Sequence, residues 1–125
     1  MRLNYPEAKF VGAHSGDALI DWCSCADVMV MPSHSEVFSM AVLECLALGI
    51  PVATHDAMGQ RVIIRDGVNG YIDKDIATAA KKSLTLSREA CRESVRQYSW
   101  ETSARKFLTS LAEVREGDNR RLARV

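Results

Sequence analysis

Between Val28 and Thr54 the chain spells a single unit of alternating order. An apolar tetrapeptide, Val28-Met-Val-Met31, meets Pro32, a short polar loop, an apolar helix and a second apolar run ending at Thr54. The tetrapeptide is short, uninterrupted and bounded by a proline, which suits a strand covered on both faces. From Phe38 to Leu48 the only charged side chain is Glu44, set among Met40, Ala41, Val42, Leu43, Cys45, Leu46, Ala47 and Leu48. A helix apolar on all sides belongs in a core. Gly49 supplies its C-cap. Residues 50–54 return as a strand, with Pro51 near the start, where a missing N–H is tolerated. Strand, helix, strand in this order predicts parallel strands joined by a right-handed crossover.

The same alternation extends both ways. Lys9-Phe10-Val11 reads as a strand stopped by Gly12, and Ser15-Gly-Asp17 opens a helix carrying Leu19, Ile20, Trp22 and Cys23 and ending near Ala26. After Thr54 comes a short polar segment, then the turn chemistry of Asp66-Gly-Val-Asn-Gly70 and a brief strand at Tyr71-Ile72. Asp75, Ser87 and Ser99 are placed to cap three further helices. Ile76, Ala79, Ala80 and Leu84 share a face of the first, Ala90, Cys91 and Val95 of the second, and Trp100, Phe107, Leu108 and Leu111 lie along the third. The predicted class is α/β: an open parallel Rossmann-like sheet with flanking helices. Residues 1–112 form the domain and residues 113–125 a polar tail. Four short strands make a thin sheet, which fits a small open domain or, the reading favoured here, the back part of a larger one.

Composition narrows the function. The chain is 47% hydrophobic and 26% charged, with three prolines and seven glycines, as in a globular protein. Sixteen basic residues balance sixteen acidic ones, so no global field draws nucleic acid or anionic lipid. The N-terminal stretch lacks the apolar core of a signal peptide, and no run matches a membrane span. Cys23, Cys25, Cys45 and Cys91 do not follow a zinc spacing and read as free thiols of a reducing cytoplasm.

The chemistry centres on Glu36 and Glu44. In doubly wound sheets ligands bind beyond the C-terminal ends of strands, where the loop Pro32 to Val37 falls. The helix after it would aim unpaired N–H groups and its positive dipole end at that space, which suits phosphate. A loop carboxylate suits neutral hydroxyls instead. Glu44, on a helix expected to be buried, is a buried carboxylate that needs a partner, and no basic residue lies three or four positions away. Physics alone thus points to a polyhydroxyl compound bearing phosphates, with an ordinary loop and a solvated Glu36 as the alternative. His34 is a candidate acid/base group by its intrinsic pKa. His14 and His55 read as polar loop residues, and Met29, Met31 and Met40 as core or wall filler.

The segment PSHSEVFSMAVLECLALGIPVAT resembles the E-x7-E region of the C-terminal domain of GT-B glycosyltransferases of family four. The likeness continues through Phe10-Val-Gly12, the segment from Trp22 through Asp27, the Asp66–Gly70 turn and Tyr98-Ser-Trp100, in order and correctly spaced from about Tyr5 to Leu111. Residues 19–22, 73–80 and 88–95 are similar in style to members acting on lipid acceptors. The resemblance implies a retaining transferase that binds a UDP- or GDP-sugar, needs no resident metal or cofactor, and passes the glycosyl group to a lipid or saccharide acceptor. By position, Glu36 matches the catalytic-site glutamate on the sugar hydroxyls and Glu44 the one on the ribose hydroxyls. Backbone amides around Phe38, Ser39 and Met40 would lie along sugar and diphosphate.

Three departures accompany the likeness. Ser39 stands where the family usually has glycine, Val62 stands where an acidic residue is usual, and the basic pair that grips the diphosphate belongs to a part of the domain outside these residues. Arg61 and Arg65 read as surface residues. The resemblance places the protein in the cytoplasm or at the inner membrane surface, with the other half of the fold or another copy of itself as partner. The alternative is a truncated, non-catalytic relative or an assembly partner of a split transferase. A stand-alone dinucleotide binder is disfavoured because no G-x-G-x-x-G follows a strand.

Overall fold

The computed structural model describes the backbone of residues 5–122 and the side chains of residues 5–112. Among them, three strands make one parallel sheet in the order β1 (Met29–Met31), β2 (Val52–Thr54), β3 (Gly70–Ile72). Met29 lies opposite Val52, which lies opposite Gly70. Helices α1 (Asp17–Ser24), α2 (Met40–Ala47), α3 (Met58–Ile63), α4 (Ile76–Ser83), α5 (Arg88–Val95) and α6 (Trp100–Leu122) connect and flank them. This is the open parallel α/β arrangement that the alternation predicts.

The central strand β2 has neighbours on both edges and is buried along its length. Around it close Val42, Leu43 and Leu46 of α2, Ile63 and Ile64, and Cys91 and Val95 of α5, with Met29, Met31 and Ile72 packed at the margin. Polar groups inside this core are paired. Ser83 donates to the Val52 carbonyl at 3.1 Å. Asn69, fully buried in the β2–β3 connection, accepts from the Arg65 N–H at 2.7 Å and donates to the Ile63 carbonyl and the Ser94 hydroxyl. The exception among the described residues is Gln60, whose amide is fully buried with no partner at either atom.

The caps form as the sequence implies. Asp75, Ser87 and Ser99 accept from the N–H groups of Ala77, Ala90 and Thr102. Gly49, at φ +80, ends α2 with the paired bonds of a Schellman motif, Ile50 N–H to the Cys45 carbonyl and Gly49 N–H to the Leu46 carbonyl.

Five expectations are corrected. Residues 9–11 form no strand: the sheet among the described residues consists of β1, β2 and β3. β1 is not covered on both faces: Val30 is 46% exposed. The segment after Thr54 contains α3, held by buried Ala57, Ile63 and Ile64. Finally, α2 is not buried all round, since Met40, Ala41, Glu44 and Ala47 are exposed. Leu84 also lies outside the core, at 53% exposure. α6 continues past residue 112 to Leu122, and residues 123–125 of the tail lie outside the described residues.

Candidate functional site

The C-terminal ends of the strands feed three loops, and the loop after β1 carries Glu36. The Glu36 carboxylate accepts from the adjacent Val37 N–H at 3.2 Å, while its backbone carbonyl accepts from the Gly59 N–H at 2.9 Å. α3 therefore clamps the loop. The approach is so close that a Cβ on Gly59 would lie 2.3 Å from the Val37 carbonyl oxygen, which only glycine permits. Phe38 packs edge-on against Tyr98 at 5.8 Å between ring centres, and the Tyr98 hydroxyl donates to the Val62 carbonyl at 3.3 Å. The loop's exit is thus braced by the segment between α5 and α6.

Ser39 is buried and caps α2, accepting from the Val42 N–H at 3.4 Å. Its extended φ of −94° needs no glycine. The serine found in place of the family's glycine therefore acts as a helix cap. Met40, the first residue of α2, is 58% exposed.

Glu44, one turn into the helix, is not the buried carboxylate that an all-apolar helix led us to expect. It stands on an open groove of about 530 Å³ between α1 and α2, with Leu19, Ile20 and Cys23 on one wall and Ala41, Cys45 and Leu48 on the other. Small alanines at positions 41 and 47 tolerate exposure, so the helix leaves one stripe uncovered. No described residue pairs with the Glu44 carboxylate, which is free to accept from a ligand. Burial, with Cys23 and Glu44 alongside, pushes the Cys45 thiol up to about 11.

Of the five residues singled out from the sequence, Glu44 alone lines the groove. Glu36, Phe38, Ser39 and Met40 stand along the path from β1 into α2. Arg61 forms a two-pronged ion pair with Asp56 on the surface, which holds the Asp56 carboxyl below its usual range. No three His, Cys, Asp or Glu side chains among the described residues stand close enough to share a metal ion.

Two histidines come together that the sequence kept apart. His34, after β1, and His55, after β2, stack at 4.4 Å between ring centres with an 11° angle between planes. His55 Nδ1 lies 3.2 Å from the Asp73 carbonyl beyond β3. The one available signal was that each follows a strand by a few residues, and it carries no information about stacking.

A three-stranded open parallel sheet with flanking helices defines an α/β protein of the Rossmann-like class. Residues 2–105 match the sequence profile of the glycosyl transferases group 1 family, and the chain belongs to that family. It is 30% identical over 128 residues to a D-inositol 3-phosphate glycosyltransferase of a Nocardioides species, covering 89% of this chain and 28% of that protein. A sulfoquinovosyl transferase of Arabidopsis thaliana is 34% identical over 114 residues, covering 80% of this chain and 22% of that one. Over 54 residues, 43% of the chain, identity to the Streptosporangium roseum D-inositol 3-phosphate glycosyltransferase reaches 46%. The chain spans about a quarter of the length of the relatives matched along most of it. No helix among the described residues is long and apolar enough to cross a membrane.

Proposed function

We propose that the chain is the donor-binding portion of a retaining glycosyltransferase that takes a UDP- or GDP-sugar and transfers the glycosyl group to a lipid or saccharide acceptor. The observation that carries this reading is the exposed, unpartnered Glu44 on the α1–α2 groove, in a helix otherwise rich in apolar side chains. A carboxylate there accepts from two vicinal hydroxyls, as a ribose offers. Glu36 takes the hydroxyls of the sugar and is the catalytic-site residue. The N-terminus of α2, with Phe38, Ser39 and Met40 leading into it, faces the diphosphate with its positive dipole end. Negative charge developing on the leaving diphosphate is met by that dipole and by cationic side chains, with no resident metal or cofactor in the scheme. Work on a lipid acceptor would place the protein in the cytoplasm, at the inner membrane surface.

Titration with UDP, GDP and their sugars by calorimetry tests this reading. Glu44→Ala should weaken nucleotide binding at least tenfold without lowering stability, because the side chain is exposed and alanine is a good helix former. Folded wild-type chain that binds none of the nucleotides would overturn the assignment.

A second reading, a non-catalytic assembly partner of a separately encoded half, is favoured by the apolar face of α6, where Trp100 is 91%, Phe107 64% and Leu108 65% exposed. Co-expression with that half separates the two. Transferase activity recovered only in the mixture supports a split enzyme, and activity in neither supports a relic.

A further inference from the structure

The stacked histidines offer a hydrogen-bonding edge that the donor-binding reading leaves unused. A carbonyl oxygen can only accept, so the 3.2 Å contact from His55 Nδ1 to the Asp73 carbonyl requires the proton on Nδ1. In the neutral ring this makes Nε2 an acceptor, and no described residue donates to it. The ring cannot readily turn away. Its Nδ1 edge is tied to the β3 end, the Asp73 N–H in turn donates to the Thr54 carbonyl at 3.1 Å, and the His34 ring covers its face at 4.4 Å. Loops following all three strands therefore cooperate to hold one acceptor at the C-terminal edge of the sheet.

The chemistry of that acceptor selects its partner. A diphosphate has no donor to give it, whereas a hydroxyl does. Glu36, two residues from His34, presents a second acceptor on the same loop. The ribose is assigned to the separate groove between α1 and α2, which none of these residues lines.

We propose that His55, fixed by the Asp73 carbonyl and by stacking on His34, accepts through Nε2 from a hydroxyl of the transferred sugar, so that the pair reads the sugar rather than the nucleotide. This rests on the donor-binding reading, and the test separates the two. The full chain is titrated calorimetrically with UDP, GDP, UDP-glucose and GDP-mannose, as wild type, His55→Asn and His55→Gln. The Asn amide reproduces the Nδ1 donor, while the Gln amide oxygen falls near Nε2. Wild type should bind a sugar nucleotide more tightly than the bare nucleotide. His55→Asn should lose that increment, about tenfold, with bare-nucleotide affinity unchanged, and His55→Gln should recover part of it. In 15N NMR the Nε2 resonance of His55 should move with the sugar nucleotide and stay put with the bare one.

An increment that survives His55→Asn, or that is absent in wild type while nucleotides still bind, overturns the histidine assignment alone. Equal weakening of bare and sugar-bearing nucleotides with a lowered Tm shows a structural tie and overturns it too. A folded wild-type chain that binds none of the four overturns both readings.

Discussion

Residues 5–26 and residues 42–95 use the same alternation of apolar and polar side chains, yet only the second stretch buries its apolar half. Phe10 is 40% exposed, Ile20 48% and Trp22 48%, and α1 contributes no buried residue. In contrast Val42, Leu46, Ile50 and Val52 are wholly enclosed. The difference lies in neighbours rather than composition. β2 has a strand on each side and helices α2 and α4 against it, while α1 meets α2 across an open groove. A periodic pattern specifies which face can be buried, and only an opposing layer buries it.

Arg88 of α5 spans the two regions, donating to the Ser24 and Ala26 carbonyls at the end of α1, both at 3.3 Å. One turn on, Arg92 donates to the Leu48 carbonyl at the end of α2, at 3.2 Å. Both place a cation at a helix C-terminus, where the dipole favours it.

The contrast can be broken by paired substitutions. Leu46→Ala should cost about 2–5 kcal/mol in urea unfolding, since it empties a sealed site. Ile20→Ala should cost about 0.5 kcal/mol or less. Comparable losses would show that α1 is packed in solution. Next in size is a pair of glycines with nearly equal backbone angles, Gly49 at φ +80 and Gly12 at φ +83. Alanine at position 49 meets the Arg88 carbonyl oxygen at 2.9 Å, whereas position 12 has nothing within 4 Å. We expect a loss of about 2 kcal/mol or more for Gly49→Ala, and about 1 kcal/mol or less for Gly12→Ala, by the same measurement.

Gln60→Leu should stabilise the packed region by about 1 kcal/mol, because it removes an enclosed, unpaired amide at similar volume. Arg88→Ala should raise amide exchange across α1 while global stability falls by about 1 kcal/mol or less. A pH-dependent effect, confined to alkaline solution, concerns Cys45, whose thiol titrates ordinarily near 9 and here is pushed up to about 11. Below pH 9 the thiol is protonated folded or unfolded. Above it the unfolded thiol ionises first, so stability falls from pH 9 and the loss levels off above pH 11. Subtracting the pH profile of Cys45→Ala should isolate that slope.

Local chemistry explains what was legible beforehand. The caps at Asp75, Ser87 and Ser99, the turn at Asp66–Gly70 and the stop at Gly49 each depend on a few adjacent residues, and each forms. The strands around Val52 and Tyr71 follow from short apolar runs between such stops. α3 was missed because Met58-Gly-Gln-Arg-Val-Ile63 is too short to show a helical period and begins beside a glycine. The strand expected at residues 9–11 depended on a neighbour that no local signal specifies.

The sequence by itself determined the class of fold and the family, and it singled out Glu36 and Glu44 as candidates, because strand–helix alternation, caps and motif spacing are properties of adjacent residues. Tertiary structure decided that Glu44 faces an open groove, that Gly59 clamps the Glu36 loop, and that His34 and His55 stack. Each of these is a distance between residues on different elements, and it is settled only when the sheet sets those elements side by side.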